Sequence, residues 1–170
     1  QVLLYDVFRS PMGWIAVMAS QIGLIRTTLP HALRESAVAN LPTVTRKAIA
    51  AEGYFDDLAD RLSRYLMGEM VKLDDSLDLT EYPPFFKAAW IACTRIPLGE
   101  TRSYSWLAAA AGKRGAFRAA GQAMAHNPLP ILIPCHRVIA TNGKLCGYGG
   151  GLKLKAKLLR LEALISAGRV

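Results

Sequence analysis

Cysteine is scarce in this sequence, and its spacing is irregular. Cys93, Cys135 and Cys146 are the only three, an odd number that suits neither a disulfide framework nor a four-ligand zinc site. A reducing compartment is expected, cytoplasmic or, in a eukaryote, nuclear, and no metal. Long apolar runs are also missing. Stretches such as Trp106 to Ala111, or Leu129 to Cys135 with its two prolines, fall far short of a bilayer span, so no membrane association is expected. No N-terminal segment joins a basic stretch to an apolar core and a small-residue cleavage site, so no secretory signal is read, although Gln1 in place of Met leaves room for processing. Carboxylates run out halfway along the chain: beyond residue 85 there are only Glu100 and Glu162.

What is present is enough for a folded core. The 170 residues are 52% hydrophobic and 20% charged, which excludes disorder and fits one domain or two small ones. Residues 1–85 carry 8 Lys and Arg against 11 Asp and Glu, net −3, whereas residues 86–170 carry 13 against 2, net +11. A compact segment with that excess is the electrostatic footprint of a polyanion partner. A membrane surface or plain solubility would leave the same mark.

The switch in charge balance at Pro83-Pro84 divides the chain near residue 82, giving an N-terminal domain over 1–82 and a C-terminal domain over 83–170. The first reads as an antiparallel meander of Leu3–Phe8, Trp14–Ala19 and Leu24–Leu29 with turns at Ser-Pro-Met-Gly and Gln-Ile-Gly. A loop carrying Pro30 and Pro42 follows, then an amphipathic helix from Tyr54 to Met67 ending at Gly68, and a strand over Val71–Leu79. Pro83-Pro84 punctuates the switch in charge. The second domain reads as helices over Phe85–Arg95, Ser103–Ala111 and Arg114–His126, the last two joined at Gly112-Lys113. Small residues Ala108, Ala109, Ala119 and Ala120 allow close crossing, as in a helix-turn-helix, though alanine-rich helix pairs also occur without DNA. Pro130–Pro134 is expected as a buried extended strip, Tyr148–Gly151 as a glycine loop, and Leu152–Ile165 as a closing helix with Leu154, Leu158, Leu161 and Ile165 on its inner face.

Chemistry concentrates at Cys135-His136-Arg137. A free thiol is only about 3% ionised at neutral pH, and an adjacent imidazole or cation raises that fraction. The same cysteine also reads as a buried core residue at the end of an apolar strip. Neighbours in an extended strand face opposite ways, so His136 serves the Cys135 sulfur only if the chain turns there. Cys93 reads as core and Cys146 as a small loop residue beside the glycine loop. His31 and His126 have no ligand partners at metal spacing, and Lys153, Lys155 and Lys157 read as a solvated helix surface. The run Gly149-Gly150-Gly151 lacks the Gly-Lys-Ser/Thr of a phosphate loop.

Taken together, Tyr104, Arg118-Ala119-Ala120-Gly121, Asn127-Pro128, Ile133-Pro134-Cys135-His136-Arg137-Val138 and Gly147-Tyr148-Gly149-Gly150 resemble the O6-alkylguanine-DNA alkyltransferase family, densely over about residues 83–163. The resemblance implies an α/β fold: a small N-terminal antiparallel sheet with a helix, then a mostly helical helix-turn-helix domain that carries the reactive cysteine. It implies a monomer that binds double-stranded DNA through the minor groove and flips out an O6-alkylguanine. Cys135 would accept the alkyl group, His136 would take its proton through water, Glu162 would orient that histidine, and Asn127 would brace the turn. Tyr104 would lie near the rotated phosphate and the guanine edge, and Arg118 would fill the gap in the stack. Ser103, Ala119 and Gln122 would join them on DNA, while Tyr148, Gly149, Val138, Pro130 and Met124 would line the guanine pocket. No metal or organic cofactor is implied. The zinc site that some members carry in the N-terminal domain has no cysteine here to form it, and Cys146 lies outside the motif as a candidate secondary site of modification. A Cys-His hydrolase or acyltransferase and a non-enzymatic lesion sensor are the competing readings.

Overall fold

The computed structural model describes residues 2–42 and 47–168, and these form two compact units: residues 1–79 with 128–132, and residues 80–127 with 133–170. β1 (Leu4–Ser10) and β2 (Gly13–Ala19) pair through their backbones as an antiparallel hairpin from Ser10↔Gly13 to Leu4↔Ala19, and β2 is buried from Ile15 to Ala19. Gly13 has φ +130°, and a Cβ there would stand 2.5 Å from the His31 carbonyl oxygen. β3 (Leu24–Thr27) flanks β2 and β4 (Ile49–Ala50) pairs parallel with β1, giving the order β3-β2-β1-β4. Val7, Ala16, Met18, Ala37 and Leu41 close the core on one face of this sheet. Ala37 belongs to α1 (Arg34–Ala39), a short helix inside the stretch expected to be loop. α2 (Asp56–Leu66) buries Leu58, Leu62, Tyr65 and Leu66.

Val71–Leu79 is not a strand: among its residues only Leu77 bridges, to Leu24. Leu24 exchanges backbone hydrogen bonds with Ser76 and Asp78 at that one bridge, and elsewhere Arg61 on α2 holds the segment, donating to the Lys72 carbonyl at 2.8 Å and gripping the Asp75 carboxylate at 2.8 and 2.7 Å. Residues 128–132, read from sequence as part of the second domain, belong to the first unit. The Thr27 amide donates to the Pro128 carbonyl and its hydroxyl to the Pro130 carbonyl. Pro130–Pro134 is not one extended strip either, because the chain turns at Ile131 and Leu132, with Ile131 at φ +74°. A β-branched residue in the left-handed region is strained, and its side chain is buried at 4% exposure.

In the second unit α3 (Pro84–Thr94), α4 (Tyr104–Ala110) and α5 (Phe117–Ala125) cross through small residues; Ala89, Ala108, Ala120 and Ala123 are fully buried. The fully buried Trp90 donates its Nε1–H to the Ala123 carbonyl at 2.7 Å, satisfying a carbonyl in the last turn of α5 that the helix leaves without a partner. α5 begins at Phe117, not Arg114, and residues 111–116, with Gly112 at φ +91° and Gly115 at φ +85°, form the connection in place of the expected Gly112-Lys113 joint. β5 (Arg102–Ser103) and β6 (Val138–Ile139) pair parallel. α6 (Leu152–Ser166) closes the unit with Lys155, Leu158, Glu162 and Ile165 buried. Its buried stripe is rotated from the expected leucine face, so a lysine and a glutamate lie innermost.

Candidate functional site

The motif residues gather where the second unit has its least regular backbone. Pro134 cannot donate a hydrogen bond, and the chain tightens into a 3-10 turn over Cys135–Arg137, held by Cys135 N–H to the Ile133 carbonyl at 2.7 Å and Arg137 N–H to the Pro134 carbonyl at 2.9 Å. This is the turn that a useful Cys-His pair requires. Asn127 and Ile133 stand where the chain leaves and re-enters this unit, and Asn127 Nδ2–H donates to the Ile133 carbonyl at 2.8 Å. Its amide also hydrogen-bonds the Cys135 sulfur.

Cys135 is 7% exposed. Burial pushes its thiol pKa up, while the Asn127 amide, the Lys155 ammonium and the backbone N–H groups of the turn pull the other way. His136 is fully buried, and burial pushes its pKa down despite the carboxylate beside it, so the ring is neutral at pH 7. Its Nε2 lies 2.8 Å from Glu162 Oε2. Burial alone would raise the Glu162 pKa, but hydrogen bonds from His136 and Arg137 bring it down to about 2. Against an ionised carboxylate Nε2 carries the proton, which leaves the lone pair on Nδ1, a buried atom without a hydrogen-bond partner. Arg137 is not the cation that helps the thiol. It grips Glu162 with Nε and Nη2 at 2.7 and 2.9 Å and the Ile96 carbonyl with Nη1 at 2.6 Å.

Beside Cys135 opens a cavity of about 770 Å³ lined by Tyr104, Ser105, Phe117, Arg118, Gly121, Met124, Ala125, Ala140, Thr141, Cys146, Gly147, Tyr148 and Gly149. Four elements contribute: the start of α4, one face of α5, the turn, and the loop before α6. Burial raises the Tyr104 and Tyr148 phenol pKa values, so both are protonated donors at neutral pH, and the buried Tyr148 hydroxyl has no partner. The Tyr148 ring meets His136 edge-on.

Of the residues expected at the site, Cys135, Tyr104, Arg118, Met124, Tyr148 and Gly149 line this cavity, and His136, Glu162 and Asn127 stand behind it. Arg118 and Gln122 are exposed on α5, with the half-buried Ala119 between them. Ser103 caps α4, its hydroxyl accepting from the Trp106 amide at 3.0 Å. Val138 is buried off the cavity and Pro130 lies in the first unit, so neither is brought to the lining. Cys93 is core, its pKa raised by burial. The expectation fails at Lys155: it is fully buried, donating Nζ–H to the Val138 and Cys146 carbonyls at 2.8 Å each. The signal that was available is its spacing to Leu158, Glu162 and Ile165 on α6. The described residues hold no group of three His, Cys, Asp or Glu able to bind a metal, and no helix long and apolar enough to cross a membrane.

Residues 84–164 match the family model described as 6-O-methylguanine DNA methyltransferase, DNA binding domain. A Methylated-DNA--protein-cysteine methyltransferase of Methanosarcina barkeri is 38% identical over 160 residues, covering 94% of this chain and 97% of the relative. The protein of that name from Mycobacterium tuberculosis is 48% identical over 110 residues, covering 65% of this chain and 66% of the relative. The crystal structure of Mycobacterium tuberculosis OGT in complex with DNA superposes with a TM-score of 0.80 at 37% identity, covering 95% of this chain and 94% of that one.

Proposed function

Because this chain belongs to the methylated-DNA--protein-cysteine methyltransferase family, we propose that it repairs DNA by moving the alkyl group of an O6-alkylguanine in duplex DNA onto its own Cys135. The observation that carries this reading is one cavity lined by Cys135, the Arg118-bearing face of α5, Tyr104 and Tyr148, backed by a neutral histidine on an ionised glutamate.

The target nucleotide is flipped out through the minor groove, α5 lies in that groove, and Arg118 occupies the space the base leaves. Ser103, Ala119, Gln122 and Tyr104 contact the strand, and the net charge of the second half supplies the attraction to phosphate. The guanine enters between Met124, Tyr148 and Gly149. His136 Nδ1 takes the Cys135 proton through a water, and the imidazolium formed is stabilised by Glu162. The sulfur attacks the alkyl carbon. The carbon–O6 bond breaks, its electron pair passes to the guanine, and a tyrosine hydroxyl donates to the developing charge. The product is a thioether on Cys135. A thioether is no leaving group at neutral pH, so the thiol does not return and each molecule acts once. Neither a metal nor an organic cofactor takes part, and the protein acts as a monomer.

Intact-mass spectrometry with peptide mapping, after mixing the protein with a duplex carrying one O6-methylguanine, tests the proposal. One methyl on Cys135, saturating at one per molecule, is the expected result. An unchanged mass on a duplex that is still bound leaves lesion recognition without repair, and release of product without label leaves a hydrolase.

A further inference from the structure

Phe117 is an aromatic ring that the core does not use. It is the first residue of α5 and 53% exposed, and among the described residues of the second unit no other aromatic is exposed. Other rings of this unit are engaged: the Lys113 ammonium lies 5.3 Å over Phe85, and Tyr82 and Phe86 both pack on Trp90. A single exposed phenylalanine needs no explanation by itself. This one has surroundings that point to a ligand. Lys113, Arg114 and Arg118 are exposed on either side of it in the chain, and Phe117 lines the same cavity as Cys135. Cations interleaved with an aromatic ring are the pattern that holds a nucleic acid strand, the cations on phosphate and the ring on a base.

Its place along α5 says which base. Met124, against which the guanine is proposed to lie, is two turns farther along the helix, about 10 Å. Both side chains lean toward the start of α5, so that separation is kept. A guanine seated at Met124 and Tyr148 does not reach the Phe117 ring. Between the two, one turn from Phe117, a Cβ on Gly121 would meet nothing within 4 Å, so this face of the helix is open from the ring to the pocket. Resting on the function proposed above, we infer that Phe117 is a DNA-stacking residue: its exposed ring packs on the base next to the extruded O6-alkylguanine, while Arg118 occupies the gap itself. Extrusion uncovers a face of that neighbouring base, and an apolar ring laid against it recovers part of the stacking lost. Every base presents a π face, so the contact does not depend on which base stands there.

The test measures single-turnover methyl uptake from an O6-methylguanine duplex, and benzyl uptake from free O6-benzylguanine, by wild type, Phe117→Ala, Phe117→Leu and Phe117→Tyr. Phe117→Ala is expected to lose about tenfold more on the duplex than on the free base, the scale of one lost base–aromatic stack. Phe117→Tyr keeps the ring and is expected to hold most of the wild-type rate, whereas Phe117→Leu keeps apolar bulk without a π face and is not. The slope of duplex affinity against log salt should stay that of wild type, since no phosphate contact is removed. Equal losses on both substrates, a shallower salt slope in Phe117→Ala, or Phe117→Leu as fast as wild type on the duplex each overturn the inference. If Phe117→Ala does not fold, the leucine and tyrosine variants carry the comparison. Wild-type protein that takes up no methyl removes the repair reading and this inference together. Uptake by wild type and by Phe117→Ala at the same rate removes the role of Phe117 alone.

Discussion

At Cys135 two demands oppose each other. For the proposed transfer, burial keeps water from the sulfur but disfavours the thiolate that the transfer needs, so the thiol needs a base and donors close by. The Asn127 amide and the turn's N–H groups supply the donors, His136 is the proposed base, and Cys135→Ala removes the proposed acceptor while leaving α5 and its arginine in place. That variant is expected to lose transfer completely and still bind duplex DNA in a gel-shift assay; any methyl uptake would refute the assignment. Arg118 is exposed at the cavity edge, where it can act only on DNA that reaches it. Arg118→Ala is therefore expected to slow repair of a duplex lesion at least about tenfold, the scale on which one lost charge-assisted contact counts. The reaction with free O6-benzylguanine should be nearly unaffected, and equal losses on both substrates would contradict the role. Single residues were the most legible scale. Cys135, His136, Asn127 and Tyr148 stand in a motif whose chemistry is local, whereas Lys155 looks in sequence like its neighbours Lys153 and Lys157, and only the packing of α6 separates them.

Periodicity locates the long elements of the chain and loses the short ones. α2, α3 and α6 emerge because an apolar stripe repeats over several turns. The short α1 lacks that length, and residues 71–79 carry a strand-like pattern that Arg61 overrides through Lys72 and Asp75. The Pro130–Pro134 stretch reads as extended because its residues are apolar and β-branched, yet Ile131 turns it at φ +74°. Between helices, Trp90 joins α3 to α5 with a bond that no hydrophobic pattern reports. Trp90→Phe keeps most of the aromatic bulk and leaves the Ala123 carbonyl without its donor. The expected cost is about 1–3 kcal/mol by urea denaturation, with the slope of the transition unchanged; a cost near zero would mean that water or another donor replaces the indole.

For the molecule as a whole, charge governs the pH dependence of stability and, in the proposed function, the attraction to DNA. The folded state holds Glu162 at about 2, below the unfolded carboxylate near 4.3, so it contributes stability above about pH 4.3 that is lost as the pH falls toward 2, about 3 kcal/mol in all. His136, whose pKa burial also lowers, contributes above its unfolded value near 6.5 and loses that contribution below it, because the unfolded chain accepts a proton that the folded ring resists. Both effects have the same sign. Urea midpoints should therefore fall from pH 7 to pH 5 and again to pH 3, with Glu162→Gln flattening the lower step; a level profile would refute the buried triad of His136, Glu162 and Arg137. On DNA, affinity should fall with log salt at a slope of about −0.9 per phosphate contacted, and a flat response would count against the basic half as the binding surface.

The sequence by itself determined the Cys135-His136-Arg137 motif, the excess of positive charge in the second half and the succession of a sheet-bearing half and a helical half. These depend on residue type, local spacing and periodicity, which are properties of neighbours along the chain. The tertiary structure decided which side of α6 faces inward, so that Lys155 and Glu162 are buried ahead of the leucines beside them. It decided that residues 128–132 serve the first unit, through the backbone and hydroxyl of Thr27. It also decided that Arg137 serves Glu162 and not the thiol. The physical reason is common to all three: a buried polar group goes where its hydrogen bonds can be satisfied, and its partners lie on segments distant in sequence.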